Sequence, residues 1–505
     1  MKNPPKAIAI IAIVLCALSV FAALASCGEN EEKSGGPENP AGQENTGTAA
    51  DGKEAADGLV LDNVPQLDFG GYEYRVFYCD YGERSGVEMY PEEMDGDILN
   101  DTIYRRNQKI QERFNVKFAV TTVEDGKGAT VSLATLTKNV QAGDDAYDMH
   151  LMVDREATTA ATKGLLYPVN EMEHIDLTRP YWKQDVNAIL TVGGKLAWAL
   201  SDEMIPAFEN TCVMFFNKKQ AQDLQLDDLY NIVRSGEWTF DKFFEYAKMA
   251  MKNVSGGAKF TNDDFWGIVA AFDEFYPNFW IGAGIKSIDK DAADIPYFAL
   301  PGNERFLTVG AKIFDNIKAD GMYVESHTSK LPTGSGVAAG VDFFRNGHAL
   351  FIATIIQEMV NLRDMPDDFG VLPFPKFEAA QERYYSRLTG SRPFVIPATN
   401  QKPEAAGALM EAMACETYNT VYPAYYESSL KTKFSRDPDT CEMLDLIREV
   451  TVYDLGDTIW YEAVRSPITT VFNGKANTLA SWIEKNEQKV NKAIQKTVEA
   501  ILDAN

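Results

Sequence analysis

Positive charge is scarce in this chain. Its 505 residues carry 48 Lys and Arg against 74 Asp and Glu, a formal net charge of −26. So acidic a surface repels phosphate backbones and anionic lipid headgroups, which argues against nucleic-acid binding and against a polybasic contact with a membrane. Histidine is scarcer still. The four present, His150, His174, His327 and His348, are too scattered to suggest a metal site, and no cofactor is expected. H-E-x-x-H, G-x-S-x-G and a Walker loop are missing, so metalloprotease, serine-hydrolase and P-loop chemistry find no support. Gly282-Ala283-Gly284 lacks the third glycine of a dinucleotide loop. Neither internal repeats nor sandwich strands are found, which argues against a purely structural surface or adhesion protein. One enzymatic alternative stays open: an exported lipoprotein acting on glycosides needs only two well-placed carboxylates and no local motif.

Cysteine usage is low and partly accounted for by export. Lys2 and Lys6 precede an apolar run from Ala7 to Ala25, which ends in Leu24-Ala25-Ser26-Cys27. A basic start, an apolar stretch and small residues before a cysteine resemble a bacterial lipoprotein signal, cleaved ahead of a lipidated Cys27. Residues 1–26 are then a signal peptide and 27–58 a lipidated tether, because Gly28 to Gly58 has almost no large apolar residue and cannot bury enough surface to fold. The expected location is the extracellular face of the bacterial cell membrane, reached only by the N-terminal lipid. Of six cysteines, Cys79, Cys212, Cys415 and Cys441 remain for the folded part. None forms a C-x-x-C pair, and both bridges and buried thiols are compatible with them.

The folded part reads as alternating strands and helices. Tyr74 to Tyr78 alternates as a strand; Leu99, Ile103, Ile110 and Phe114 share one helical face with Arg105, Arg106, Gln111 and Glu112 opposite; Val116, Phe118 and Val120 alternate again. A second helix carries Leu133, Leu136 and Val140, and Met149 to Val153 is a buried strand. This order implies a parallel sheet covered by helices. Gly193-Gly194 marks a hairpin, and Thr211 to Phe216 opens a new α/β unit. Thr239 is placed to cap the following helix, with Trp238 as its staple. Asn346-Gly347 turns into a strand from Ala349 to Ile352. Phe369 to Pro375 is extended by its prolines and suits a passage between lobes. The chain closes on a long amphipathic helix with Leu479, Ile483, Val490, Ile494, Val498 and Ile501 on its apolar stripe.

In this order the segments resemble the family 1 extracellular solute-binding proteins, which include maltose-binding and other sugar receptors. The likeness runs from about Tyr72 to the end and is carried by Asn100 to Lys117, Ala142-Gly143 through Leu166, Gly193 to Leu196, Phe216-Asn217-Lys218, Trp238 to Asp241, Phe344 to Ala349 and Phe369 to Pro375. The resemblance implies a two-lobed type II periplasmic-binding-protein-like α/β fold with discontinuous lobes and a ligand cleft. The first lobe would comprise 59–208 and 373–416, and the second 209–372 and 417–505. Crossovers would lie near Glu209 to Val213, Phe369 to Pro375 and Cys415 to Pro423. It further implies a monomeric substrate-binding component of an ABC importer, working with permease subunits and taking a sugar or oligosaccharide, with peptides or polyols as alternatives.

Trp460-Tyr461-Glu462-Ala463-Val464-Arg465 resembles a Trp-Tyr-Ala-Val-Arg segment of the sugar receptors with one residue inserted. The resemblance makes Trp460 a stacking platform for a sugar ring, with Tyr461 and Arg465 beside it; an indole face suits the C–H face of a pyranose. Asp154 and Arg155 follow a strand, where ligand sites of open α/β sheets gather, and a carboxylate with a guanidinium can accept from and donate to vicinal hydroxyls. Asp80 and Arg84 follow the first strand, Glu209 and Asn210 lie at the first crossover, and Tyr276 and Trp280 could form a platform on the other lobe. Phe351 to Gln357 continues without a further aromatic residue after Phe351 where the maltose receptor has a tryptophan-containing stretch, so maltose specificity is not implied.

Overall fold

Apolar residues on both faces make β1, Tyr72–Asp80, an interior strand: Tyr74, Val76, Phe77 and Cys79 are all buried. The helix Ile98–Phe114 follows it, started by Asp97, whose carboxylate accepts from the backbone N–H groups of Leu99 and Asn100, and ended by Asn115 at φ 49°. The computed structural model describes residues 59–80, 89–124, 128–202, 206–426 and 437–504. The lipidation and tether assignments, including Cys27, lie outside the described residues, as does Arg84.

Two sheets organise the molecule. The first joins β1 to β2 (Val116–Glu124), β3 (Met149–Leu151) and β12 (Phe394–Val395) in the order β12-β3-β1-β2, parallel except for β12. The second takes β4 (Cys212–Asn217), β5 (Trp266–Ala270), β8 (Tyr323–Glu325), β9 (Ala349–Ile355) and β10 (Phe369–Leu372) in the order β10-β4-β9-β5-β8. β4 and β10 are buried along their whole length, the mark of strands covered on both faces. Two small pairs complete the set: β6 (Ile288–Lys290) with β7 (Pro296–Phe298), and β11 (Ser386–Arg387) with β13 (Thr451–Val452).

Local signals act where the sequence places them. Thr239 Oγ1 accepts from the Lys242 N–H at the start of helix Phe240–Ala250. Gly193 and Gly194 both take positive φ, 54° and 83°, between the bridged pair Val192 and Lys195, as a tight two-residue hairpin demands. The last helix, Leu479–Asp503, buries Leu479, Ile483, Val490, Ile494 and Val498. Cys79, Cys212, Cys415 and Cys441 form no disulfide among the described residues.

Two expectations need correction. Arg106 does not sit on the solvent face of its helix: it is 1% exposed and donates to Thr417 Oγ1, the Met89 carbonyl and Asn107 Oδ1. Its hydrogen bonds to Met89, Asn107 and Thr417 offset the cost of burying the charge. Phe369 to Pro375 is not a passage between lobes. Phe369–Leu372 is β10, paired antiparallel with β4, and the prolines mark the end of an edge strand. The following residues stay with the second lobe, since the Trp238 indole donates to the Pro373 carbonyl and the Tyr384 hydroxyl to the Val233 carbonyl, both at 3.0 Å. The return to the first sheet occurs at 388–393. There Leu388 bridges Thr211, the Thr389 N–H donates to the Asn210 carbonyl, and the Pro393 carbonyl accepts from Met152. The chain therefore runs its first two crossovers side by side. A third passage goes through the π-helical turn Thr417–Val421, after which Tyr422, Tyr425 and Tyr426 join the core around Phe208, Val213 and Phe215.

Candidate ligand-binding cleft

The C-terminal ends of β3 and β5 and the 453–465 segment bring charged side chains together. Asp154 and Arg155 begin the helix Asp154–Ala161 directly after β3. The Asp154 carboxylate is buried and committed: it accepts from the Arg155 N–H (2.8 Å), the Ser391 N–H (2.9 Å) and the Tyr453 hydroxyl (2.8 Å). Burial raises its pKa, with these hydrogen bonds pulling the other way. Asp154 thus ties the first lobe to a crossover and to the second lobe, and is not a group presented to a ligand. Its neighbour Arg155 is exposed, with its guanidinium 4.4 Å from the centre of the Tyr461 ring.

Arg465 approaches the same ring at 5.3 Å. Three residues singled out in the sequence, Arg155, Tyr461 and Arg465, therefore converge: one aromatic ring contacted by two guanidiniums from different lobes. Arg465 is held by Asp457, whose carboxylate lies 3.8 Å from it and receives Arg387 through two bonds of 2.6 and 2.9 Å. Burial lowers the Arg465 pKa, Asp457 opposes this, and the nearby Arg387 adds to it. Arg387 also donates to the Glu274 carbonyl at 2.9 Å, which joins β11 to the segment after β5. In that segment Asp273 lies 3.0 Å from His327 Nδ1, and the Glu274 carboxyl is pushed up by burial and by repulsion from Asp273. Guanidiniums, carboxylates, an imidazole and an aromatic face gathered this way can exchange hydrogen bonds with a polyhydroxylated molecule and stack against its apolar face.

The other expected site residues are placed elsewhere. Trp460 is 7% exposed; it belongs to the same core cluster as Trp198, against which Ile189 and Ile501 pack, and its indole donates to Thr497 Oγ1 at 3.3 Å. So enclosed a ring has little free face to offer, and the aromatic beside Arg155 and Arg465 is its neighbour Tyr461. Tyr276 and Trp280 are buried and both stack on Phe472, with ring centres 5.3 and 6.3 Å apart, as core residues of the second lobe. Glu209 accepts from the Tyr425 hydroxyl at 2.9 Å and is pushed up to about 8 by burial. Asn210 uses its carbonyl to bind Thr389. Both lie where the chain first passes between the two sheets, beside the return at 388–393. Asp80 ends β1 opposite Glu124 in the register; its side chain lies outside the described residues.

Sequence reasoning missed Arg387, Asp457, Asp273 and His327. For Asp273 a signal existed, since it follows the apolar strand β5 as Asp154 follows β3, and the strand-end rule applies to both. Arg387 and Asp457 meet only through the fold. Among the described residues one trio, Glu173, His174 and Glu404, has donor atoms within 4.8 Å of one another, and two of its members are exposed. No helix among the described residues is long and apolar enough to cross a membrane.

Two α/β lobes joined by paired crossovers, with charged and aromatic groups between them, define a solute receptor of the periplasmic-binding type. The profile of the bacterial extracellular solute-binding protein family matches residues 104–418, and the chain belongs to that family. No curated protein matches. Solved structures with the same fold include an ABC substrate-binding protein from Listeria monocytogenes in complex with cycloalternan (TM-score 0.53, 14% identity, 84% of this chain and 99% of that one). A cyclo/maltodextrin-binding protein complexed with maltotetraose gives a TM-score of 0.52 at 17% identity over 86% and 98%. A Mycobacterium tuberculosis protein in complex with glycerophosphocholine gives 0.51 at 16% over 86% and 99%.

Proposed function

We propose that this protein is the substrate-binding component of an ABC importer, and that it captures a sugar or oligosaccharide in the cleft where Arg155, Tyr461 and Arg465 converge. That convergence carries the reading. Each lobe contributes to one recognition surface, so a ligand spanning it gains affinity only when the lobes are together, which shifts the population towards the closed form. Carboxylates and guanidiniums side by side answer the paired donors and acceptors of vicinal hydroxyls, and the Tyr461 ring answers the apolar face of a pyranose. The oligosaccharides bound by two of the structural neighbours agree with this class. The lipobox-like stretch ending at Cys27 supplies the membrane attachment, and permease subunits are the partners.

Titration of the chain from Leu59 onward with neutral mono- and oligosaccharides, polyols, short peptides and glycerophosphodiesters tests the proposal. Saturable binding of a saccharide, with no product formed on long incubation, is expected. Binding confined to peptides or to glycerophosphodiesters would overturn it.

A further inference from the structure

Alternation along β11 and the second crossover separates two faces. Arg387 points to Asp457 and the cleft, while Leu388 helps line a cavity of about 390 Å³ on the hinge side. That size lies in the range of small-molecule sites. Trp182, Val186, Leu200, Phe208, Leu388 and Tyr422 supply apolar wall. The polar groups are distributed unevenly. Thr211 borders the cavity but is fully buried, so its hydroxyl is not open to it. Asp202, also buried, is ion-paired with Lys183. Arg448 has no carboxylate partner among the described residues; its guanidinium rests 4.3 Å over Tyr422 and 5.4 Å over Tyr426. Lys183 lies 5.5 Å over the same Tyr422 ring. An unpaired guanidinium at the wall and an apolar surface together suit a ligand with an anionic head and an apolar body. The exposed acids Asp185 and Glu449 also line it and disfavour a second negative charge on the ligand.

We propose that this hinge-side cavity is a second ligand site, separate from the cleft, for a small monocarboxylate with an aromatic or branched aliphatic body. The carboxylate pairs with Arg448, and the body lies against Phe208 and Leu388. Calorimetric titration of the chain from Leu59 onward with benzoate tests this, with benzyl alcohol as the uncharged counterpart. Saturable binding of benzoate is expected, with benzyl alcohol and the Arg448→Gln variant each weaker by about tenfold or more, since the charge-assisted bonds are lost. Arg448 is exposed, so its variant should melt with the parent, and a thermal melt verifies that. Absence of saturable benzoate binding, equal binding of benzyl alcohol, or parental affinity in a folded Arg448→Gln variant would each overturn the proposal.

Discussion

Trp460 and Tyr461 are adjacent in sequence and are expected to fail in opposite ways when truncated. Trp460→Ala opens a space in the core cluster that also holds Trp198 and removes the donor to Thr497. Truncating a buried tryptophan costs about 3–5 kcal/mol. With an unfolding entropy of about 2.1 cal/mol/K per residue over about 450 folded residues, a loss of that size lowers a cooperative melting temperature by roughly 3–5 °C. Ligand affinity of the folded fraction should change little. Tyr461→Ala leaves the core intact but takes away the ring on which Arg155 and Arg465 rest. The stacked face and its burial are worth about 1–3 kcal/mol of binding, a drop of roughly ten- to hundred-fold, with little change in melting temperature. Thermal melts and calorimetry on the two variants decide the matter. A Trp460→Ala protein that melts with the parent but no longer binds would refute the placement of the indole in the core.

Asp457→Asn should weaken ligand binding by about tenfold or more and also lower the melting temperature, because Arg387 and Arg465 would share a neutral partner in a buried setting, a mechanism that typically costs a few kcal/mol; calorimetry beside thermal melts reads both. Glu209 has an ordinary value of 4.5 and is raised to about 8 in the fold, so stability from this group is fully present below about pH 4.5 and is lost as pH rises towards 8. Glu209→Gln should therefore be more stable than the parent near pH 8 and similar to it near pH 4, as denaturant melts at the two pH values would show. His150 is buried with both ring nitrogens unpartnered and is pushed down to about 3 by burial. Its neutral form favours folding above the ordinary 6.5, and that stability is lost as pH falls from there towards 3. His150→Phe should reduce the acid sensitivity, measured as melting temperature against pH.

Elements with strong local signals were legible in the sequence. The face formed by Leu99, Ile103, Ile110 and Phe114, the Thr239 cap and the Gly193-Gly194 turn all rest on contacts within a few residues, so periodicity and turn chemistry suffice to find them. Arg106 broke the pattern because its partners, Met89 and Thr417, come from distant segments. The prolines near β10 signal extended chain, and nothing local says whether extended chain crosses between lobes or forms an edge strand. In the 460–465 segment the resemblance points to Trp460 as the stacking ring, whereas the structure buries Trp460 and sets Tyr461 beside Arg155 and Arg465. Trp460 and Tyr461 are neighbours in a turn, before the helix that starts at Arg465, and only tertiary packing decides which of them faces inward. Arg387 and Asp457 are 70 residues apart and fully buried, a pairing with no trace in spacing.

The most direct test of the account is calorimetric titration of the parent protein, Arg465→Gln and Tyr461→Ala with the saccharide that binds the parent most tightly. The account predicts saturable binding to the parent and a loss of about tenfold or more in each variant at nearly unchanged melting temperature. Undiminished affinity in both folded variants would contradict it, because the ligand would then lie away from the Arg155, Tyr461 and Arg465 convergence.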